Sequence, residues 1–181
     1  MPRRLGFSLG VVCVGVLIVT VTLQRHETSV EHPISRGLLR DGREVSLAEA
    51  EKSVSFDVLR PSTSLVSDSD VAKVWVRTAW SPEVWVQYGS GLVLTVQRPD
   101  FGGAAPEQVF QGQIAEGIPG TIEQIGPVAA FVVPANDSDV GANLTMVVDG
   151  LEVTFLDPSR NFATDQLADA AGSVVSSAQA T

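Results

Sequence analysis

Apolar and polar positions follow three different rhythms along this chain. Residues 5–23, LGFSLGVVCVGVLIVTVTL, carry no charge and show no polar face. A hydrocarbon core about 30 Å thick takes roughly 20 helical residues at 1.5 Å each. The run therefore predicts one membrane-crossing helix, because a single span in lipid must satisfy its own backbone. Arg3 and Arg4 precede it, while Arg25 and Glu27 nearly cancel behind it. That asymmetry places the N-terminus in the cytoplasm and the rest of the chain outside. The alternative is a cleaved signal peptide and a secreted product. A signal core is shorter, about 7–15 residues, and ends in small residues at the cut; no Ala-x-Ala follows this run.

Beyond residue 44 the rhythm becomes alternation. Residues 71–78, VAKVWVRT, put Lys73, Trp75 and Arg77 on one side of a strand and Ala72, Val74 and Val76 on the other. Residues 83–88 and 92–97 read as two further strands, joined by Gly89-Ser90-Gly91, so an antiparallel meander is expected. Residues 122–125 and 128–133 form another pair around Gly126-Pro127. Asp149-Gly150 between two β-rich runs predicts a type I′ hairpin, since both central positions need positive φ. Between these groups, residues 98–120 hold three Pro and five Gly and read as irregular, with a short strand at 108–113.

Helical spacing occurs at both ends of this region. Ser46-Leu-Ala-Glu49 is a capping box that predicts a helix over about 46–53. Thr164 caps a second helix to about residue 175, with Leu167, Ala170, Ala171 and Val174 as its buried stripe. The expected fold is therefore α+β: an N-terminal transmembrane helix, then an antiparallel sheet of about six to seven strands with an N-terminal and a C-terminal helix on one face. Expected boundaries are 1–4 for a cytoplasmic end, 5–23 for the anchor, 24–44 for a stalk, 45–175 for the domain and 176–181 for a frayed tail.

Charge changes this picture by excluding partners. Residues 1–43 hold six arginines against three carboxylates, net +3; residues 44–181 hold six basic against eighteen acidic side chains, net −12. A domain of that sign repels nucleic acid and an anionic lipid surface, so the expected membrane contact is residues 5–23 alone. The only cysteine, Cys13, lies inside the apolar run, so no intramolecular disulfide forms.

Three blocks resemble an uncharacterised bacterial domain found outside the membrane on single-pass proteins, some of them anti-sigma-factor-like or sporulation-associated. The first is Val45-Ser-Leu-Ala-Glu-Ala50 leading to Phe56 and Pro61. The second is the strand at 126–133 with the Asp149-Gly150 hairpin, and the third is the closing helix at 167–173. The chain departs from that pattern where Pro61 leads into STSLVSDSD, and where Met146 stands near a usual tryptophan. The resemblance implies a regulatory or ligand-sensing accessory domain and carries over no catalytic residue.

Candidate chemistry is narrowed mainly by missing residue types. Both histidines, His26 and His32, precede residue 44, and no His or Cys follows it. A Ser–His–Asp triad, a cysteine nucleophile and a His/Cys zinc site therefore have no members there. No cofactor is expected. Asp137 and Asp139 form a weak alternative as a calcium loop, but Val148 stands where a bidentate Glu is needed. Trp75, Trp80, Trp85 and Tyr88 cluster within fourteen positions. With Lys73 and Arg77 they mark a candidate binding surface, Lys73, Trp75, Arg77, Trp85 and Tyr88, against the plainer reading of sheet-face packing. The expected role is a non-catalytic, membrane-anchored binding or regulatory domain. Its partners would be an envelope protein, a peptide or a cell-wall fragment. A carboxylate-based hydrolase and a passive structural protein are the alternatives.

Overall fold

The computed structural model describes residues 42–64, 66–79, 81–135 and 141–180. They form one eight-stranded sheet, with every neighbouring pair antiparallel. In chain order the elements are β1 (Arg43–Val45), α1 (Leu47–Ser53), β2 (Val71–Arg77), β3 (Glu83–Tyr88), β4 (Val93–Gln97), α2 (Pro106–Ala115), β5 (Thr121–Ile125), β6 (Val128–Val133), β7 (Asn143–Val148), β8 (Leu151–Leu156) and α3 (Thr164–Gln179). The spatial order β1-β2-β3-β4-β8-β7-β6-β5 makes two four-stranded meanders, joined where β4 pairs with β8.

Alternation along each strand gives the sheet two unlike faces. One row of directly paired residues, Val74–Val86–Leu94–Phe155–Leu144–Val132, crosses six strands. Val76–Val84–Val96–Val153–Met146–Ala130 runs beside it. All twelve are buried and belong to the main core. Ala50 of α1 and Leu167, Ala170, Ala171, Val174 and Val175 of α3 complete that core. A buried Leu or Phe there contributes about 1.5–3 kcal/mol relative to exposure.

Turn and cap chemistry fixes the connections. Asp149 and Gly150 both adopt positive φ, 51° and 73°, as the hairpin requires. Ser46 caps α1 by accepting the Glu49 backbone N–H at 3.2 Å, while the Glu49 carboxylate pairs with Arg43 at 2.6 Å. At the start of α3 the Gln166 side chain accepts the Ala163 N–H at 2.9 Å.

The expected fold class is corrected in several respects. The sheet has eight strands, not six to seven. The added strand is β1, whose three residues are too few to show alternation; Arg43 and Glu44 lie in the segment expected to be stalk and Val45 opens the expected domain. The strand expected at 108–113 is the helix α2, and this helix packs on the face opposite α1 and α3. Pro106 at the first helical position is the start signal. The C-terminal helix runs to Gln179, beyond the expected end at 175 and into the segment expected to fray. Among the described residues no helix is long and apolar enough to cross a membrane. The span expected at 5–23 lies outside the described residues.

Candidate binding face

The second face of the sheet is where the candidate side chains gather. Its central row is Trp75–Trp85–Thr95–Thr154–Thr145–Phe131–Ile122, each residue paired directly with the next across seven strands. α2 covers the far end, where Phe110 stacks on Phe131 with ring centroids 5.8 Å apart and Phe110, Phe131, Val133 and Ile122 form a small core. The near end has no helix packed on it among the described residues. Trp75, Trp85, Val93 and Leu156 form a separate apolar cluster there.

Trp75 and Trp85 oppose each other across β2 and β3, the closest arrangement two side chains have in an antiparallel pair. Lys73 holds its Nζ 6.0 Å from the Trp75 ring centroid, at the outer limit of a cation–π contact. Arg77 faces Glu83 across the same strand pair, its Nη2 2.7 Å from Glu83 Oε2. The Glu83 side chain is 8% exposed and the Arg77 side chain 33%. Further across the face, the Gln97 amide donates to Glu152 at 3.0 Å, and the Thr145 and Thr154 hydroxyls bond each other at 3.0 Å.

Two donors on this face have no acceptor among the described residues. Trp85 is 5% exposed and its indole N–H is buried without a hydrogen-bond partner; Arg77 Nε–H is in the same condition. A buried donor left unpaired costs about 1–3 kcal/mol.

Tyr88 is placed elsewhere. It belongs to the main core on the opposite face and is 1% exposed. Three positions separate it from Trp85, and an odd offset along a strand points side chains to opposite faces. That parity was readable from the numbering. Its hydroxyl has no partner, and burial holds its pKa well above the ordinary tyrosine value. The Asp68 charge adds to the rise and Arg60 opposes it. Trp80, Asp137 and Asp139 lie outside the described residues. Among the described residues, no three His, Cys, Asp or Glu side chains gather as a metal cluster.

Sequence reasoning missed a concavity on the helix-covered side. A cavity of about 530 Å³ lies among residues 57–62, Asp68, Asp149 and the end of α3 at Ser177 and Ala178. A second, of about 290 Å³, shares Asp57, Leu59 and Asp149 with it and includes Arg98. Arg60, in the larger one, is engaged by Glu51 at 2.9 Å and Asp68 at 3.3 Å. No motif marks this cavity, because its walls come from three distant stretches of chain. Asp57, Asp68 and Asp149 are exposed.

No protein-family model, curated protein or solved structure matches the chain.

Proposed function

We propose that this domain is a non-catalytic binding module and that the near end of the second sheet face, where no described helix packs and the exposed Lys73 and half-buried Trp75 stand over the buried Trp85, is its working surface. The observation that carries the reading is the pair of buried, unpartnered donors, Trp85 Nε1–H and Arg77 Nε–H, set beside a cross-strand tryptophan pair. Sequence supports the non-catalytic part, since no His or Cys occurs after residue 32. The exposure of Asp57, Asp68 and Asp149 around the cavity favours binding over hydrolysis, because a general-acid carboxyl is commonly set against an apolar wall. A regulatory or ligand-sensing role, as the resemblance implies, is one use of such a surface.

Tryptophan emission tests the reading, because Trp75 and Trp85 are two of only three tryptophans in the chain. Cellotriose, the trimer of N-acetylglucosamine and trialanine are titrated separately into the wild-type protein and into Trp75→Ala. At least one probe shifts wild-type emission, and the variant loses at least ten-fold in affinity for that probe. If none of the three shifts emission up to millimolar concentration, the binding face is refuted.

A further inference from the structure

We infer that two copies of this chain pair through the free edge of β5, antiparallel about Ile122, so that the sheet continues across a two-fold axis.

β5 ends the sheet on the side away from Trp75 and Trp85, and β6 is its only strand neighbour among the described residues. The hairpin decides which of its backbone groups are free. Gly126-Pro127 is a two-residue turn, so the flanking pair Ile125–Val128 exchanges both of its backbone hydrogen bonds. Alternation then commits Glu123 and Thr121 to β6 and turns the N–H and C=O of Ile122 and Gln124 outward. Gly120 is next in the outward series. Pro119, which has no N–H, falls on the parity that faces β6 and leaves that series intact.

A free edge is ordinarily blunted by shortness, charge, proline or a bulge. β1, at the other end of the sheet, has three residues, of which Arg43 and Glu44 are charged. β5 has five residues in unbroken register with β6, with no Pro or Lys among them. Helices pack on both of its faces, α2 over Ile122 and α3 over Ile125; the edge between them stays open. The large apolar side chains that stand exposed among the described residues, Ile114 and Ile118, belong to the last turn of α2 and to the turn into β5. Exposed apolar surface and unpaired backbone therefore meet at one corner of the fold.

The edge is complementary to itself. Paired antiparallel about Ile122, the stretch Gly120-Thr-Ile-Glu-Gln124 sets Ile122 against Ile122, Gly120 against Gln124 and Thr121 against Glu123. The outward groups then form about six backbone hydrogen bonds. The Thr121 hydroxyl, which bonds Glu123 of its own strand at 3.2 Å, gains a second carboxylate directly opposite. A two-fold axis one position later would oppose Glu123 to Glu123, a destabilising like-charge pair, so Glu123 selects the register. Contact between two five-residue edges is small beside the roughly 1,600 Å² of a standard interface. Each copy also carries net −12 over residues 44–181. The dimer is therefore weak, with a Kd on the order of 100 μM, and it tightens as salt screens the repulsion.

Sedimentation of the full chain from micromolar to millimolar concentration tests the pairing, with residues 5–23 kept dispersed by a mild detergent. Wild type should pass from monomer to dimer over that range, and at lower concentration in high salt. Gln124→Pro removes an outward N–H where an edge strand tolerates proline and should weaken association at least ten-fold. Ile118→Ser should weaken it several-fold. Register is read separately, in a chain carrying Cys13→Ser: Ile122→Cys should form a disulfide between copies at least ten-fold faster than Glu123→Cys. Far-ultraviolet circular dichroism of each variant separates lost pairing from lost fold. If Gln124→Pro associates as well as wild type, the contact lies on another surface and the edge pairing is overturned. Faster closure by Glu123→Cys overturns the two-fold about Ile122. A wild type that stays monomeric at millimolar concentration overturns self-pairing and leaves the edge to residues 1–41 or to a strand of another protein. The Trp75–Trp85 face, at the other end of the sheet, stands or falls by its own titrations.

Discussion

Tyr88 shows at the residue scale how one misplaced side chain becomes a stability statement. It is the only tyrosine, and its hydroxyl is buried without a partner. Tyr88→Phe removes that hydroxyl and leaves the ring, so stability to urea at neutral pH should rise by about 1 kcal/mol. A fall would mean that the hydroxyl has a partner after all. The same group makes an alkaline prediction. Its folded-state pKa is raised, chiefly by burial and then by Asp68. The stabilisation is therefore complete below the unfolded value near 10 and is lost as pH rises above it, because the unfolded chain then ionises while the folded chain does not. Wild type should lose about 1.4 kcal/mol per pH unit relative to Tyr88→Phe in that range. Parallel pH profiles for the two proteins would contradict this. The tryptophans were more legible than the tyrosine. Alternation places Lys73, Trp75 and Arg77 on one face, and the short connection between β2 and β3 aligns Trp85 with Trp75. Grouping Tyr88 with them followed closeness in sequence instead of strand parity.

At the scale of single elements, what could be read depended on length and period. Five- to seven-residue strands with alternating burial, such as β7 and β8, announce themselves, and so does a hairpin with Asp149-Gly150 at its tip. β1 is three residues long and could not. α2 was masked by glycines and prolines around it, yet its ends follow ordinary helix chemistry. Gly117, at φ 90°, donates to the Ile114 carbonyl at 3.0 Å, and the Ile118 N–H reaches the Gln113 carbonyl at 3.0 Å. These two bonds are a Schellman motif, which needs a left-handed residue at that position. Gly112 sits inside the same helix with open space where a Cβ would go. Two substitutions of one kind should therefore act in opposite directions. Gly112→Ala should stabilise by about 0.5–1 kcal/mol, and Gly117→Ala should destabilise by about 1 kcal/mol. Thermal denaturation of the two variants checks both signs. Equal shifts would show that the end of α2 does not hold this cap. Since α2 covers the far end of the second face through Phe110 and Phe131, its stability also sets how much of that face a described helix protects.

For the molecule as a whole, the joint between β4 and β8 decides whether two meanders behave as one unit. The sheet order has no other strand pairing between the halves. Across that joint Leu94 faces Phe155 and Val96 faces Val153, all four fully buried. The main core runs without interruption from Val74 on β2 to Val132 on β6, under α1 and α3. A shared core of this kind favours a single cooperative transition. All three tryptophans fall within residues 75–85, so their emission reports on the first meander, while circular dichroism reports on both. The two signals should therefore melt together in urea. Phe155→Ala removes a ring at the joint and should cost about 3–5 kcal/mol, moving both transitions by the same amount. If emission instead held its midpoint while the dichroism transition split, the first meander would be stable alone. The binding face, most of whose cluster lies on β2, β3 and β4, would then survive loss of the second half except for Leu156, Thr154 and Thr145. Thr154 and Thr145 would then stay in register with Thr95, Trp85 and Trp75 only while β8 and β7 remain docked on β4.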